Sequence, residues 1–142
     1  MKSLTPYLFF DSNCREAMEF YKACFGGELQ IMTYADAPED ACPEGDTKPD
    51  GDSVMHACLT SGDFMLMASD NSMAAPVAGD NIYIYSECAT IPVVQKLFES
   101  LSAGGDVKAP LADTFWGSHF GMLTDRYGIH WMLACPLENQ GE

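Results

Sequence analysis

The first pattern along the chain is a helical spacing of apolar residues near its beginning. In "NCREAMEFYKACF" (13–25) apolar residues recur every three or four positions, which is typical of an amphipathic helix. Asn13 or Asp11 could cap its start, and Gly26 could end it. The residues predicted to face the core are Cys14, Ala17, Met18, Tyr21 and Phe25.

A second amphipathic helix is predicted from about 90 to 103. Pro92 falls in its first turn, where a missing N–H costs nothing, and Gly104 follows as the stop. The apolar stripe of this helix is predicted to contain Val93, Val94, Leu97, Phe98 and Leu101.

The two predicted helices end in similar sequence segments. "FYKACFGGEL" begins at Phe20 and "FESLSAGGDV" begins at Phe98, and each contains a glycine pair followed by an acid and an aliphatic residue. A match at one fixed offset indicates that the chain contains two copies of one structural unit.

Strand-like segments flank each helix in the same order, so each copy is predicted to be a βαβββ module. The first copy offers "LTPYLFF", "ELQIMTY", "SVMHACLT" and "DFMLMASD". The second offers "NIYIYSE", a strand at about 106–112, "SHFGMLT" and "IHWMLAC". The predicted fold class is therefore α+β, with two modules whose curved sheets enclose a cavity. The alternative is a single α+β sheet without a cavity.

We predict one domain over residues 1–142. Its parts are a first module over 1–70 with an acidic loop at 35–52, a linker over 71–78, a second module over 79–136 and a tail over 137–142.

Charge and composition narrow the class of partner. The formal net charge is -14 with only seven lysines and arginines, which disfavours nucleic acid binding. No apolar run is long enough to span a membrane, and no signal peptide is visible, so we expect a soluble, cytoplasmic protein. The acidic loop holds seven carboxylates and one lysine, which favours a solvated mobile segment over a calcium loop, because the EF-hand spacing is missing.

Six cysteines are spread along the chain without a Cys-x-x-Cys pair, and most lie in apolar segments. This distribution favours free, buried thiols over disulfides or a zinc site.

The segments "PYLFFDSNCREAMEFYKACFGGEL", "HACLTSGDFMLMASD" and "DTFWGSHFGMLTDRYGIHWML" resemble the PhnB-like branch of the vicinal oxygen chelate superfamily. This superfamily includes glyoxalases, bleomycin-resistance proteins and dioxygenases, and some PhnB-like members carry a demethylubiquinone methyltransferase label. The resemblance implies the two-module fold described above and a homodimer. It does not imply one particular reaction, because the fold supports many chemistries.

In metal-dependent superfamily members, a histidine or glutamate from the first and last strand of each module binds a divalent ion. The matching positions here fall near Pro6, Met67, Asn81 and Met132, and none of these is a usual ligand for a hard metal ion. We therefore predict no cofactor and no metal site of the usual kind. A divalent metal held by displaced ligands is the alternative.

Three histidines are candidates for ligand contacts or acid–base chemistry. Strand alternation places His56 on one face with Cys58 and Val54. His119 lies on a strand that lines the pocket in the resembled family, and His130 shares a face with Met132. Each could instead be a satisfied core histidine. A metal triad of His56, His119 and His130 is a further alternative.

Trp116 and Phe120 are predicted to be pocket walls, because small-molecule sites are mostly apolar with few polar groups. Plain core packing is the alternative for both, and for the methionines at 55, 65 and 67. Asp125, Tyr127 and Gly128 are predicted to form the turn before the last strand. The full set of predicted substrate-binding residues is His56, Cys58, Met67, Trp116, His119, Phe120, His130 and Met132.

We interpret the chain as a protein that binds a small, partly apolar molecule in an enclosed cavity, and whether it is an enzyme is left open. One alternative is a metal-dependent enzyme of the glyoxalase or dioxygenase type, and another is a non-catalytic protein that sequesters its ligand. No serine-nucleophile elbow, phosphate loop or dinucleotide fingerprint is present.

Overall fold

A computed structural model of the chain describes residues 1–36, 51–70 and 74–137. The chain divides into two compact units, Met1–Val77 and Ala78–Glu142. Over the described residues, no helix has the length and apolar character that a membrane crossing requires.

The first unit has the predicted order of one strand, one helix and three strands over its described residues. Its sheet has the order β1-β4-β3-β2, with β1 parallel to β4 and the other pairs antiparallel. The elements are β1 (Tyr7–Phe10), α1 (Cys14–Phe25), β2 (Glu28–Thr33), β3 (Val54–Ser61) and β4 (Phe64–Asp70).

The second unit repeats this topology. Its sheet has the order β5-β8-β7-β6, with β5 parallel to β8 and the other pairs antiparallel. The elements are β5 (Ile84–Glu87), α2 (Ile91–Ser102), β6 (Asp106–Asp113), β7 (Ser118–Thr124) and β8 (His130–Pro136). The predicted α+β class with two βαβββ modules is confirmed, and the cavity stays a prediction.

The glycine pairs after the helices have equivalent roles. Gly26 and Gly104 both have φ of 75°, a left-handed conformation that favours glycine. A side chain at Gly27 would overlap the carbonyl oxygen of Thr60, and one at Gly105 would overlap that of Thr124. The repeated glycines are therefore needed for the turn after each helix and for its close approach to the neighbouring strand.

Each helix packs one apolar stripe onto one face of its own sheet. The fully or nearly fully buried residues are Cys14, Ala17, Met18 and Tyr21 in α1, and Val94, Leu97, Phe98 and Leu101 in α2. The prediction for Val93 is wrong, because its side chain is 51% exposed. We call the sheet face that carries the helix the helix face, and the opposite one the far face.

The capping of α1 differs from the prediction. Asn13 occupies the N-cap position, but its side chain makes no capping hydrogen bond. The backbone N–H of Cys14 donates instead to Asp70 Oδ1, 2.9 Å away at the end of β4. Tertiary structure therefore supplies the acceptor that the local sequence was expected to supply. The side chain of Thr90 caps α2 by accepting from the N–H of Val93 at 3.4 Å.

A bulge in the β2–β3 pairing corrects the predicted faces of β3. Met32 pairs with His56, but Thr33 pairs with Val54, so β3 carries one extra residue. Val54 therefore lies buried like Ala57, on the helix face, and does not share a face with His56 as predicted.

The ends of the acidic loop are held together, while residues 37–50 of the predicted loop lie outside the described residues. The N–H of Tyr34 donates to Ser53 O, and that of Ala35 donates to Gly51 O, both at 3.1 Å. Hydrogen bonds from Thr33 to Asp36 hold the pKa of the Asp36 carboxyl below its usual value. Parts of the predicted linker (71–73) and tail (138–142) also lie outside the described residues.

Candidate functional site: the far faces of the two sheets

The far face of the first sheet gathers three of the predicted site residues. Met67 is the register partner of both Tyr7 and Cys58, so these three side chains form a row across β1, β4 and β3. His56 lies two residues from Cys58 on the same strand, and Met32 is its register partner. The row and its neighbours combine one imidazole, one phenol, one thiol and several thioethers.

A hydrogen bond fixes the orientation of His56. Its Nδ1 lies 3.3 Å from Tyr7 Oη, and the two ring centroids are 5.8 Å apart. No hydrogen-bond partner for Nε2 occurs within the part of the chain that the structure describes. Depending on the tautomer, Nε2 either donates or accepts, so it offers one polar contact to a molecule on this face.

The far face of the second sheet carries an equivalent row. Met132 is the register partner of both Tyr85 and Met122, just as Met67 is that of Tyr7 and Cys58. Phe120 lies two residues before Met122 in β7, just as His56 lies two residues before Cys58 in β3. The two residues therefore occupy equivalent positions. Four predicted site residues therefore lie on or beside this face: Phe120, His130, Met132 and, through its ring contact with Phe120, Trp116.

Both ring nitrogens of His130 are engaged. Nε2 lies 2.6 Å from the carbonyl oxygen of Gly79, which can only accept, so Nε2 carries the proton. In the neutral ring Nδ1 then accepts from the Thr124 hydroxyl at 2.7 Å, and the ring of Tyr83 stacks at 5.0 Å. His130 therefore fastens the segment before β5 to the sheet, and it has no nitrogen left for a ligand.

His119 lies on the helix face. It pairs with Cys135, and this face also carries Gly121, where a side chain would meet the ring of Phe98 in α2. The His119 Nδ1 lies within hydrogen-bond distance of Asp113 Oδ1, at 2.8 Å, and the Asp113 carboxylate is exposed. His119 and Phe120, adjacent in sequence, therefore point to opposite faces.

Trp116 lies in the turn between β6 and β7. Gly117 supplies φ of 91° there, and the Thr114 side chain closes the turn through Ser118. The Trp116 side chain is 60% exposed and contacts Phe120 with ring centroids 6.0 Å apart. It therefore lies at the rim of the far face and not in the core.

The structure does not assemble the alternative histidine triad. His119 and His130 lie on opposite faces of one sheet, and no cluster of three or more His, Cys, Asp or Glu suited to a metal ion occurs among residues 1–36, 51–70 and 74–137. Of the positions matched to the superfamily ligands, Pro6 precedes β1 and Asn81 precedes β5, while Met67 and Met132 lie on the far faces.

Two buried carboxylates have larger structural roles than the sequence indicated. Asp70 accepts the N–H groups of Cys14 and Val54, both at 2.9 Å. Burial, helped by the negative charge of Asp70, raises the pKa of the Cys14 thiol from 9.0 to about 12. Both groups belong to the packing of α1 against its sheet.

The second buried carboxylate organises the predicted turn before β8. Asp125 accepts the N–H of Tyr127 at 2.8 Å, that of Ile129 at 3.2 Å and the indole N–H of Trp131 at 2.8 Å. Gly128 has φ of 85°, so the predicted turn is confirmed. The signal that could have revealed the second role of Asp125 is the tryptophan on the helix face of β8, whose buried N–H needs an acceptor.

Comparison with known proteins identifies the family. Residues 2–134 match the family model described as 3-demethylubiquinone-9 3-methyltransferase. The chain is 28% identical over 137 residues to Protein YjdN of Escherichia coli (strain K12), covering 92% of each chain. It is 38% identical to protein PA1353 of Pseudomonas aeruginosa, with a TM-score of 0.83 and 99% of both chains covered.

More distant structures show the same fold. A protein of Bacillus cereus described as a putative 3-demethylubiquinone-9 3-methyltransferase, PhnB protein, is 24% identical, with a TM-score of 0.73 over 94% of this chain and 99% of the other. A glyoxalase/bleomycin resistance protein/dioxygenase from Nocardioides is 17% identical, with a TM-score of 0.58 over 97% of this chain and 86% of the other. The chain belongs to the 3-demethylubiquinone-9 3-methyltransferase family, and it shares the fold of the PhnB and glyoxalase/bleomycin resistance/dioxygenase structures.

Proposed function

We propose that this protein binds a small, partly apolar molecule at the far face of its first sheet, with the Tyr7–His56 pair as the polar contact. The observation that carries the proposal is that His56 Nε2 has no hydrogen-bond partner among the described residues, while the Tyr7 hydroxyl lies 3.3 Å from Nδ1 within a surface of aromatic and thioether groups. Sites for small molecules generally have this composition, with few polar groups on an apolar wall.

The far faces of the two units differ in the chemistry that each offers at equivalent positions. His56 supplies hydrogen bonding in the first unit, and the equivalent Phe120 supplies an aromatic wall in the second. A molecule with one hydroxyl or carbonyl group on an apolar ring suits the far face of the first unit, where His56 lies among aromatic and thioether side chains. The enclosed cavity expected from the resemblance is part of the proposal.

The proposal involves no metal ion. The positions matched to the superfamily ligands are Pro6, Met67, Asn81 and Met132, which lack the imidazole and carboxylate donors of those sites. Chelation with EDTA is therefore expected to leave ligand affinity unchanged. Loss of binding on chelation, with recovery on adding back one equivalent of a divalent ion, would favour the metal-dependent alternative.

We propose binding without methyl transfer, although the family name refers to a methyltransferase. The connections from β1 to α1 and from β5 to α2, Asp11–Asn13 and Cys88–Thr90, contain no glycine, unlike the loops that cradle nucleotide-type cofactors in doubly wound folds. Stoichiometric binding of S-adenosylmethionine, measured by calorimetry, would contradict this restriction.

A matched pair of probes tests the polar contact. Phenol and toluene have nearly the same shape, but only phenol can hydrogen-bond to His56. We expect phenol to bind more tightly by about threefold to tenfold, the usual net value of one hydrogen bond. In His56→Phe, which copies the residue of the second unit, the preference is expected to disappear, while His119→Ala keeps it.

The competing outcomes of this test are distinct. Equal affinities in the unmodified protein, or a phenol preference that survives His56→Phe, would contradict the assignment of His56. No binding of either probe would contradict the proposed site.

The homodimer implied by the resemblance belongs to the same proposal. Light scattering at micromolar protein concentration is expected to give twice the chain mass of 15.5 kDa. A monomer mass would contradict it.

A further inference from the structure

Away from the far faces, two thiols lie on neighbouring strands of the second sheet. Glu87 and Ala134 are register partners in the parallel β5–β8 pair, and the N–H of Cys88 donates to Ala134 O at 2.7 Å. The next residues along each strand, Cys88 and Cys135, are therefore side by side.

Both cysteines are free and buried. Cys135 is 0% exposed and Cys88 is 7% exposed, at the position directly after the last residue of β5. Cys135 alternates with Trp131 and Leu133, so its thiol lies on the helix face, and laterally paired residues point to the same face. Burial, and after it the neighbouring Cys135, raises the pKa of the Cys88 thiol.

We propose that Cys88 and Cys135 form an oxidation site that closes to an intramolecular disulfide in the presence of hydrogen peroxide. Neighbouring strands lie about 4.8 Å apart, within the usual Cα separation of disulfides of about 4.4–6.8 Å. Cys88 directly follows the last residue of β5, a four-residue strand at the edge of the sheet.

The chemistry proceeds in two steps. The more exposed Cys88 thiol loses its proton, and its thiolate attacks peroxide, forming an S–O bond while the O–O bond breaks. The hydroxide that leaves takes up the proton, so that a sulfenic acid and water result. The Cys135 thiolate then attacks the Cys88 sulfur, forming the S–S bond and releasing the hydroxyl group as a second water. Two thiols and one peroxide thus give one disulfide and two waters.

Two features govern the rate. The raised pKa of Cys88 keeps its thiolate scarce at neutral pH, so the reaction is expected to accelerate as pH rises. The disulfide ties the end of β5 to β8, and it is expected to raise the midpoint of thermal unfolding of the oxidised chain.

Peptide mapping tests the proposal. The reduced full chain is treated with hydrogen peroxide, the peroxide is removed, and remaining thiols are alkylated in denaturant before digestion without reductant. We expect a peptide pair linked through Cys88 and Cys135 as the main product. The control variant Cys24→Ser, which removes a half-buried thiol on α1, is expected to keep this product. The variants Cys88→Ser and Cys135→Ala are expected to lose it.

The map of the unmodified chain decides the outcome even if a variant folds poorly. Alkylation of Cys88 and Cys135 while other cysteines are oxidised would overturn the proposal. So would separate overoxidation of the two sulfurs, or a main disulfide to another cysteine, including Cys42.

Discussion

The two units share one scaffold but differ in how they use histidine. In the first unit, His56 lies in the middle of the far face, with Nδ1 bound to Tyr7 and Nε2 unoccupied within the described residues. In the second unit, the equivalent position is Phe120, and His130 has both ring nitrogens bound to its own unit. The repeated topology therefore carries a histidine in one copy and a phenylalanine in the other at the same position.

The rows beside these positions differ less. Each unit keeps a tyrosine on its edge strand beside a methionine on the next strand, Tyr7 with Met67 and Tyr85 with Met132. Two residues after these tyrosines, on the same face, the first unit has Phe9 and the second unit has Glu87. The shared topology thus fixes the positions of these side chains, and the residue at each position determines the chemistry of the face.

The buried carboxylates give the largest expected contrast in stability. Asp125→Ala leaves three donors without their acceptor and is expected to lower the free energy of unfolding by about 3–5 kcal/mol. Asp70→Ala leaves two N–H donors without their acceptor and is expected to lower the free energy of unfolding by about 2–4 kcal/mol. Urea unfolding measures both, with the exposed Asp113→Ala as control. A smaller loss for Asp125→Ala than for Asp113→Ala would contradict the role of Asp125.

The glycine pairs test whether the units are equivalent at their helix ends. Gly27→Ala and Gly105→Ala each place a methyl group against a strand carbonyl, and we expect each to cost about 2–3 kcal/mol. Gly26→Ala meets no atom within 4 Å and is expected to cost about 1 kcal/mol through its positive φ alone. Thermal unfolding compares the three. Tolerance of either Gly27→Ala or Gly105→Ala would break the equivalence.

The histidines give the smallest expected effect. His130→Ala removes bonds to Thr124 and Gly79 and is expected to cost about 1–2 kcal/mol, with faster amide exchange before β5. His56→Ala loses one long hydrogen bond on a half-buried ring and is expected to cost less than about 1 kcal/mol. Equal losses in urea unfolding would remove the proposed division between a structural and a binding histidine.

Sequence periodicity predicted most of the fold because its signals are local. Apolar spacing and glycine stops located both helices, and alternation located the eight strands, with later starts at β1 and β5. The bulge after Met32 was not predictable, since it depends on the partner strand, and it moved Val54 to the helix face. Asp70 escaped notice for the same reason, because the N–H groups that it accepts are distant in sequence.

The candidate site was predictable only in part. Alternation correctly placed His56 with Cys58 and His130 with Met132. Alternation did not reveal the hydrogen bond between His130 Nε2 and the carbonyl oxygen of Gly79, because Gly79 lies in the segment that precedes β5. Alternation already places the adjacent His119 and Phe120 on opposite faces, but which of these faces the helix covers is visible only in three dimensions.

The most direct test is an NMR titration with phenol that follows the ring signals of all three histidines and the methionine methyl signals. The account predicts saturable changes at His56 and Met67, with the same dissociation constant, and no change at His119. Changes confined to His119, or no saturable change at His56, would contradict the central claim that the far face of the first sheet supplies the polar contact to a bound small molecule.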